Sequence, residues 1–246
     1  MALSITVLGC SGSYSGPGMA CTGYLVTSPG ARVWLDTGPG TMANLQRHCD
    51  LADLDAVVIT HQHADHWTDL ALAFTAFRHY VGDKRLPVYG TAGTRSMACA
   101  LLGKDDLAPI FDWRRISSED RMSIADQQWR FSRTDHPVET LAPRVDCGGR
   151  SFAFSADTAP GWSFEQLGRG IHLALCEATF TEADRHPDAP HLSARQAGAM
   201  AAAAGVEKLL LTHLIPGSDA GAMAREASES FGQPVDVAKQ DWIYQV

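Results

Sequence analysis

The stretch THQHADHW, residues 60–67, places three imidazoles and one carboxylate within six consecutive positions. The apolar run DAVVIT precedes it as a predicted strand, and WTDLALAFTAFRHYV has the spacing of a helix that begins just after it. Side chains alternate along extended backbone, so His61 and His63 point the same way, whereas Asp65 and His66 lie beyond the bend. Four such ligands on one strand-to-helix loop predict two metal positions that need further ligands from elsewhere in the chain.

Composition indicates one ordinary globular domain covering residues 1–246. Hydrophobic residues make up 45% of the chain and charged residues 20%, and no apolar run is long enough to cross a bilayer. The start, MALSITVLGC, lacks the pattern of a secretory signal. The six cysteines form no C-x-x-C pair and are expected to be reduced thiols. These features predict a cytoplasmic protein with no membrane partner.

The charge balance bears on the substrate. Twenty Lys and Arg residues stand against 28 Asp and Glu residues, which gives a net charge of −8 at neutral pH. Such a surface repels polyanions, and it shows no basic face for a nucleic-acid backbone. A long nucleic acid is therefore a disfavoured partner, and a small molecule is favoured.

The order of apolar runs predicts an α/β fold. SITVLG, GYLVTS and ARVWLDTGPG are typical of strands, and later strands alternate with helices around a less regular region that ends near Met122. The opening loop GCSGSYSGPG lacks the Lys-Ser/Thr ending of a phosphate-binding loop and predicts a plain turn. Two sheet layers with helices outside are the expected arrangement.

The motif T-H-x-H-x-D-H after an apolar strand resembles the signature of the metallo-β-lactamase superfamily. The segments WLDTGPG, TDHP, FSADT and LLLTH resemble further motifs of that family and occur in the family's order. The resemblance implies a four-layer αββα sandwich with two divalent metal ions. It assigns one metal to His61, His63 and His136, the other to Asp65, His66 and His213, a bridging role to Asp157, and a supporting role to Asp36. Zinc is the default for such nitrogen and oxygen ligands, and manganese or iron would also suit them.

Two more segments resemble the ribonuclease Z branch of this superfamily. CEATF and HLSARQAGAM are similar to the branch's H-E-A-T-F and H-S-T-A motifs, with Cys176 in place of a His. The resemblance makes His191 the group that assists the leaving group, with Glu177 beside it. Both are candidate catalytic residues, together with Asp65. It also implies a homodimer.

The spacing of two candidate ligands favours one part of that branch. Members that process transfer RNA carry a long arm between the third His and the bridging Asp, but His136 and Asp157 are only 21 positions apart. No such arm fits there. The chain is thus more similar to compact bacterial class II cyclic-nucleotide phosphodiesterases.

These residues suit hydrolysis of a phosphodiester. A water that bridges two metal ions loses a proton near neutral pH, and the resulting hydroxide is the expected nucleophile. A small phosphodiester such as a 3′,5′-cyclic nucleotide is the expected substrate, with His191 protonating the departing oxygen. The alternatives are a transfer-RNA 3′-processing endoribonuclease, a lactonase or thioesterase that would not need His191, and a binding protein that kept the fold without turnover.

Overall fold

The computed structural model describes residues 2–246. Its strands are β1 Ser4–Gly9, β2 Gly23–Thr27, β3 Arg32–Thr37, β4 Ala56–Val58, β5 Leu86–Gly90, β6 Phe111–Arg115, β7 Arg121–Ile124, β8 Gln127–Arg133, β9 Leu141–Cys147, β10 Arg150–Phe154, β11 Leu173–Glu177, β12 Lys208–Thr212, β13 Asp236–Val237 and β14 Ile243–Gln245. Its α-helices are α1 Thr41–Leu45, α2 Ala64–Trp67, α3 Asp69–His79, α4 Ala92–Leu102, α5 Ala194–Ala203 and α6 Ala220–Phe231. Two short 3-10 helices cover Leu51–Asp53 and Phe164–Leu167.

The strands form two mixed sheets of seven strands each. The first has the order β14-β1-β2-β3-β4-β5-β6, and the second has the order β13-β12-β11-β10-β9-β8-β7. Strands β3 to β6 run parallel in the first sheet, as do β10 to β13 in the second. The parallel strands of each sheet end at a common edge, and side chains that follow them can meet there.

Three apolar clusters hold the layers together. Residues of both sheets, such as Leu35 and Leu175, share the cluster between the sheets. The neighbouring Trp34 faces α3 on the outside of the first sheet, and Cys176 faces α5 and α6 on the outside of the second. Strand side chains alternate between faces, so each strand serves two layers. The predicted four-layer αββα sandwich is confirmed.

Two local expectations from the sequence were wrong. The region up to Met122 is not simply irregular, because β6 pairs in parallel with β5 and β7 pairs with β8. The edge strand FDWRR has few apolar residues, which hides it from the pattern. The helix also begins earlier than expected, at Ala64, so Asp65 and His66 lie on helical turn α2.

No helix within residues 2–246 has both the length and the apolar character needed to cross a membrane.

Candidate metal centre

The candidate ligands meet at the edge where the parallel strands of both sheets end. His61 and His63 follow β4, and Asp65 and His66 lie on α2. From the second sheet, His136 lies on the loop between β8 and β9, Asp157 follows β10, and His213 follows β12. All seven residues that the sequence proposed as ligands are brought together, and only His63 among them is not buried.

The first cluster contains His61, His63, His136 and Asp157, whose potential ligand atoms all lie within 4.8 Å of one another. His61 Nε2 lies 3.5 Å from Asp157 Oδ2, and His136 Nε2 lies 4.0 Å from the same oxygen. His136 Nε2 also lies 3.1 Å from His63 Nδ1. Three imidazoles and one carboxylate oxygen thus converge on one point.

The second cluster contains Asp65, His66 and His213. Asp65 Oδ2 lies 3.2 Å from His213 Nε2 and 3.6 Å from His66 Nε2. Asp157 Oδ1 lies 3.2 Å from His66 Nε2 and 3.4 Å from His213 Nε2. One oxygen of Asp157 therefore faces each cluster, which is the arrangement that a bridging carboxylate needs.

Unpaired polar atoms test whether metal ions fit these clusters. Among residues 2–246, the buried side-chain atoms without a hydrogen bond include His61 Nε2, His66 Nε2 and Asp157 Oδ1. Leaving such an atom unsatisfied costs about 1–3 kcal/mol, and more when it is charged. All three atoms point into the clusters, where they could coordinate a divalent cation. The nitrogen and oxygen donors fit zinc, manganese or iron.

Asp36 supports the ligands from the end of β3, as the resemblance implied. Its Oδ1 accepts the backbone N–H of Thr60 at 2.8 Å, and its Oδ2 accepts the hydroxyl of Thr60 at 2.9 Å. Nδ1 of His66 lies 2.7 Å from the same Oδ2. Because Nδ1 donates to this carboxylate, the Nε2 of His66 is left with its lone pair toward the clusters.

The carboxylates at the centre stay charged. Burial alone would raise the pKa of Asp157, but the neighbouring imidazoles of His213 and His66 outweigh burial and hold that pKa well below its usual range. Burial likewise opposes ionisation of Asp65, and His66 and His213 lower its pKa. Both side chains are therefore in the form that binds a cation.

Glu177 lies beside the two clusters, and His191 forms a third group with Asp157 and His213, whose potential ligand atoms lie within 4.8 Å of one another. The fully buried Glu177 accepts at Oε1 from the Thr158 N–H at 2.8 Å and from His191 Nδ1 at 3.0 Å. The ring of His191 lies between the rings of His136 and His213, with centroids 5.4 and 5.3 Å away. Burial lowers the pKa of His191, but the Glu177 charge and hydrogen bond outweigh it and raise the pKa to about 9.

Cys176 does not touch this machinery. Its side chain points away from Glu177 and lies in the apolar cluster under α5 and α6. Burial raises the pKa of its thiol well above the usual value, so the side chain is a neutral apolar group. Replacement of the branch's usual His at this position therefore leaves the contacts of Glu177 intact.

Sequence analysis missed the role of the opening loop. The expected plain turn instead touches the second cluster, because the N–H of Ser13 donates to Asp65 Oδ2 at 2.8 Å. A Cβ atom on Gly12 would lie 2.5 Å from His213 Nδ1, so only glycine fits there. The run of Gly and Ser residues in GCSGSYSGPG was the available signal, since close backbone approach requires glycine.

Comparison with known families agrees with this geometry. The model of the β-lactamase superfamily domain matches residues 31–214, which contain every candidate ligand. The chain belongs to the metallo-β-lactamase superfamily. Within that superfamily, an uncharacterized protein of Mycobacterium tuberculosis is 34% identical over 255 residues, covering 100% of this chain and 93% of its own length.

Two further relatives of this metallo-β-lactamase fold protein carry functional names. The probable metallo-hydrolase YhfI of Bacillus subtilis is 27% identical and covers 99% of this chain and 100% of itself. A ribonuclease Z of Methanopyrus kandleri is 28% identical and covers 98% of this chain and 96% of itself. The resemblance to a ribonuclease Z-like metallo-hydrolase is confirmed.

Solved structures give the same metallo-β-lactamase fold. The crystal structure of YhfI from Bacillus subtilis has a TM-score of 0.92 and 25% identity, with 100% of both chains covered. A diphosphatase of the PhnP family has a TM-score of 0.80 at 18% identity, covering 99% of this chain and 98% of that one. The second likeness concerns the fold alone.

Proposed function

We propose that this metallo-hydrolase is a dinuclear phosphodiesterase acting on a small phosphodiester, with a 3′,5′-cyclic nucleotide as the first candidate. The observation that carries the proposal is Asp157, which presents Oδ2 to one cluster and Oδ1 to the other. His61, His63 and His136 would hold one ion, and Asp65, His66 and His213 the other. Bound there, two divalent cations, with zinc as the first choice, would supply a water nucleophile at neutral pH and a positive field.

The charge of the site supports a phosphodiester over a neutral ester. Two divalent cations outweigh the carboxylates of Asp65 and Asp157, and the buried His61 stays neutral because burial lowers its pKa well below the usual value. A phosphodiester gains negative charge in its transition state. A cationic site therefore stabilises that transition state more than the ground state.

His191 supports a reaction with a poor leaving group. Glu177 raises its pKa to about 9, which favours the protonated ring, and Nδ1 is held by Glu177 at 3.0 Å. The ring can thus protonate an alkoxide that departs from phosphorus, a step that contributes about 10²–10⁴-fold in rate. We propose His191 as this general acid and Glu177 as the group that orients it, with Asp65 acting as a ligand close to the reacting atoms.

Transfer-RNA 3′ processing is the second candidate, because relatives named ribonuclease Z match nearly the whole chain. The stretch between His136 and Asp157 argues against it. This stretch contains the hairpin of β9 and β10, whose strands pair within the second sheet. It leaves no room for an arm that reaches a long substrate, and the net charge of −8 also opposes one.

One experiment tests the proposal against its rivals. Purified protein loaded with zinc or manganese is assayed on 3′,5′-cyclic nucleotides, bis-p-nitrophenyl phosphate, lactones, thioesters and pre-tRNA, and elemental analysis counts its metal ions. We expect about two ions per chain and the highest kcat/KM on a cyclic nucleotide. Absence of bound metal after reconstitution contradicts the dinuclear site. Preference for a lactone or thioester contradicts phosphodiesterase activity, and turnover of no substrate favours a binding protein.

Three further features remain proposals. Residues 1–246 form a single domain, the protein acts in the cytoplasm, and it assembles as a homodimer as its resemblance to the ribonuclease Z branch implies. Analytical ultracentrifugation at micromolar concentration tests the last of these, because a monomer has half the mass of the expected species.

A further inference from the structure

The hydroxyl of Thr179 lies buried between Glu177 and His213. Its Oγ1 is 3.0 Å from Glu177 Oε2 and 3.2 Å from His213 Nδ1. The side chain is 2% exposed, so water does not compete for these contacts. Glu177 belongs to the proposed acid, and His213 belongs to the second cluster. One hydroxyl, that of Thr179, therefore links the carboxylate of Glu177 to the imidazole of His213.

The chemistry of the three groups fixes the direction of both hydrogen bonds. An ionised carboxylate only accepts, and a hydroxyl has one proton to give. Two acceptors lie near the Thr179 hydroxyl, the carboxylate of Glu177 at 3.0 Å and the carbonyl oxygen of His213 at 3.4 Å. The hydroxyl donates to Glu177, because a charged acceptor at the shorter distance forms the stronger hydrogen bond. Oγ1 must then accept from His213 Nδ1–H. The proton on Nδ1 leaves the lone pair of Nε2 facing Asp65 and Asp157.

The first cluster contains the same arrangement on the other sheet. The Thr60 hydroxyl donates to Asp36 Oδ2 at 2.9 Å, and its Oγ1 lies 3.1 Å from His61 Nδ1. By the same argument Oγ1 accepts from His61 Nδ1–H, and His61 Nε2 lies toward Asp157 at 3.5 Å. A buried carboxylate, a threonine hydroxyl and an imidazole thus occur in series beside each cluster.

We propose that Thr179 is a positioning residue that fixes the Nδ1–H tautomer of His213 and couples this ligand to the carboxylate that orients His191. Thr60 performs the corresponding task for His61. The inference rests on the proposed metal binding. The inference goes beyond metal binding, because it assigns to one hydroxyl the link between the second metal and the leaving-group acid. Loss of such a hydrogen-bond partner behind a metal ligand typically weakens metal affinity by about 10–100-fold.

The test compares Thr179→Val, which removes the hydroxyl at nearly constant shape, with Thr179→Ser, which keeps it. Zinc affinity is measured by chelator competition, and long-range ¹H–¹⁵N spectra of the zinc-loaded protein show which ring nitrogen of each His carries a proton. Thr60→Val is the matched variant at the other cluster. Thr75→Val, on the exposed face of α3, controls for the substitution itself. Thermal unfolding of each zinc-free variant checks its folding.

We expect Thr179→Val to weaken binding of one of the two zinc ions by about 10–100-fold. The Nδ1–H of His213 would lose its acceptor, so its signal should move upfield and exchange faster with water, while the signal of His61 is unchanged. Thr179→Ser should stay within about threefold of the wild type. Thr60→Val should show the reverse pattern, with the His61 signal shifted and exchanging faster.

The wild-type spectrum alone can overturn the inference. A His213 that carries its proton on Nε2 in the zinc-loaded protein excludes the proposed tautomer, whether or not Thr179→Val folds. Wild-type zinc affinity in Thr179→Val, or equal losses in Thr179→Val and Thr179→Ser, would also contradict it. A protein with the expected zinc affinities and tautomers that hydrolyses no phosphodiester rejects the proposed function and leaves this inference standing.

Discussion

Nδ1 of His191 lies 3.0 Å from Oε1 of Glu177, and both residues stand beside the metal clusters. Glu177 is fully buried and accepts four hydrogen bonds, from the Thr158 N–H, His191, the Thr179 hydroxyl and the Leu192 N–H. A carboxylate satisfied in this way holds the imidazole in one orientation. Substitution of this pair can therefore distinguish the proposed acid catalysis from metal binding.

Replacement of His191 by Ala should remove the acid and keep the metal ions. A cyclic nucleotide has a poor alkoxide leaving group, so its turnover should fall about 10²–10⁴-fold. Bis-p-nitrophenyl phosphate has an activated leaving group and should lose much less. Elemental analysis and kcat on both substrates check this. Equal losses together with one missing ion would show that His191 is a metal ligand.

Replacement of Asp157 by Ala should lower metal content and activity together. The substitution removes one oxygen ligand from each cluster. It also removes a negative charge that offsets the repulsion between the two cations. Metal content should fall from about two ions per chain to one or fewer, measured by elemental analysis after gel filtration. Asp83→Ala on an exposed loop is the control and should keep both ions. Normal metal content and turnover in Asp157→Ala would mean that another residue bridges.

Replacement of Gly12 by Ala should disturb the second cluster without replacing any candidate ligand. The added Cβ would lie 2.5 Å from His213 Nδ1 and 2.6 Å from the His213 carbonyl oxygen, so His213 must move. We expect zinc to bind about tenfold more weakly at one site. Ser15→Ala, an exposed position of the same loop, should behave as the wild type. Unchanged affinity in Gly12→Ala would show that the loop adapts without cost to His213.

Processing of pre-tRNA should be weak at physiological salt. The strands β9 and β10 fill the interval between His136 and Asp157, and the net charge of −8 repels a long polyanion. Cleavage of pre-tRNA is compared with cleavage of a cyclic nucleotide at equal enzyme concentration. Efficient endonucleolytic cleavage of pre-tRNA would replace the proposed function by its second candidate.

The sequence by itself determined the types of the candidate ligands and most of the strands and helices. Three His and one Asp within six residues are a local pattern that needs no tertiary information, and apolar runs such as DAVVIT reveal buried strands directly. The order of five motifs was enough for the resemblance that places His136, Asp157 and His213 beside them. The sequence did not predict the edge strand β6, because its polar composition shows no apolar run.

Only the tertiary structure decided which atoms face each other. Asp157 presents a different oxygen to each cluster because β10 ends between the loop after β4 and the loop after β12. Gly12 and Thr179 acquire their roles through contacts with His213, a residue 201 and 34 positions away in the chain. A local pattern records propensity and polarity, whereas hydrogen-bond direction and steric fit depend on neighbours that the fold alone brings together.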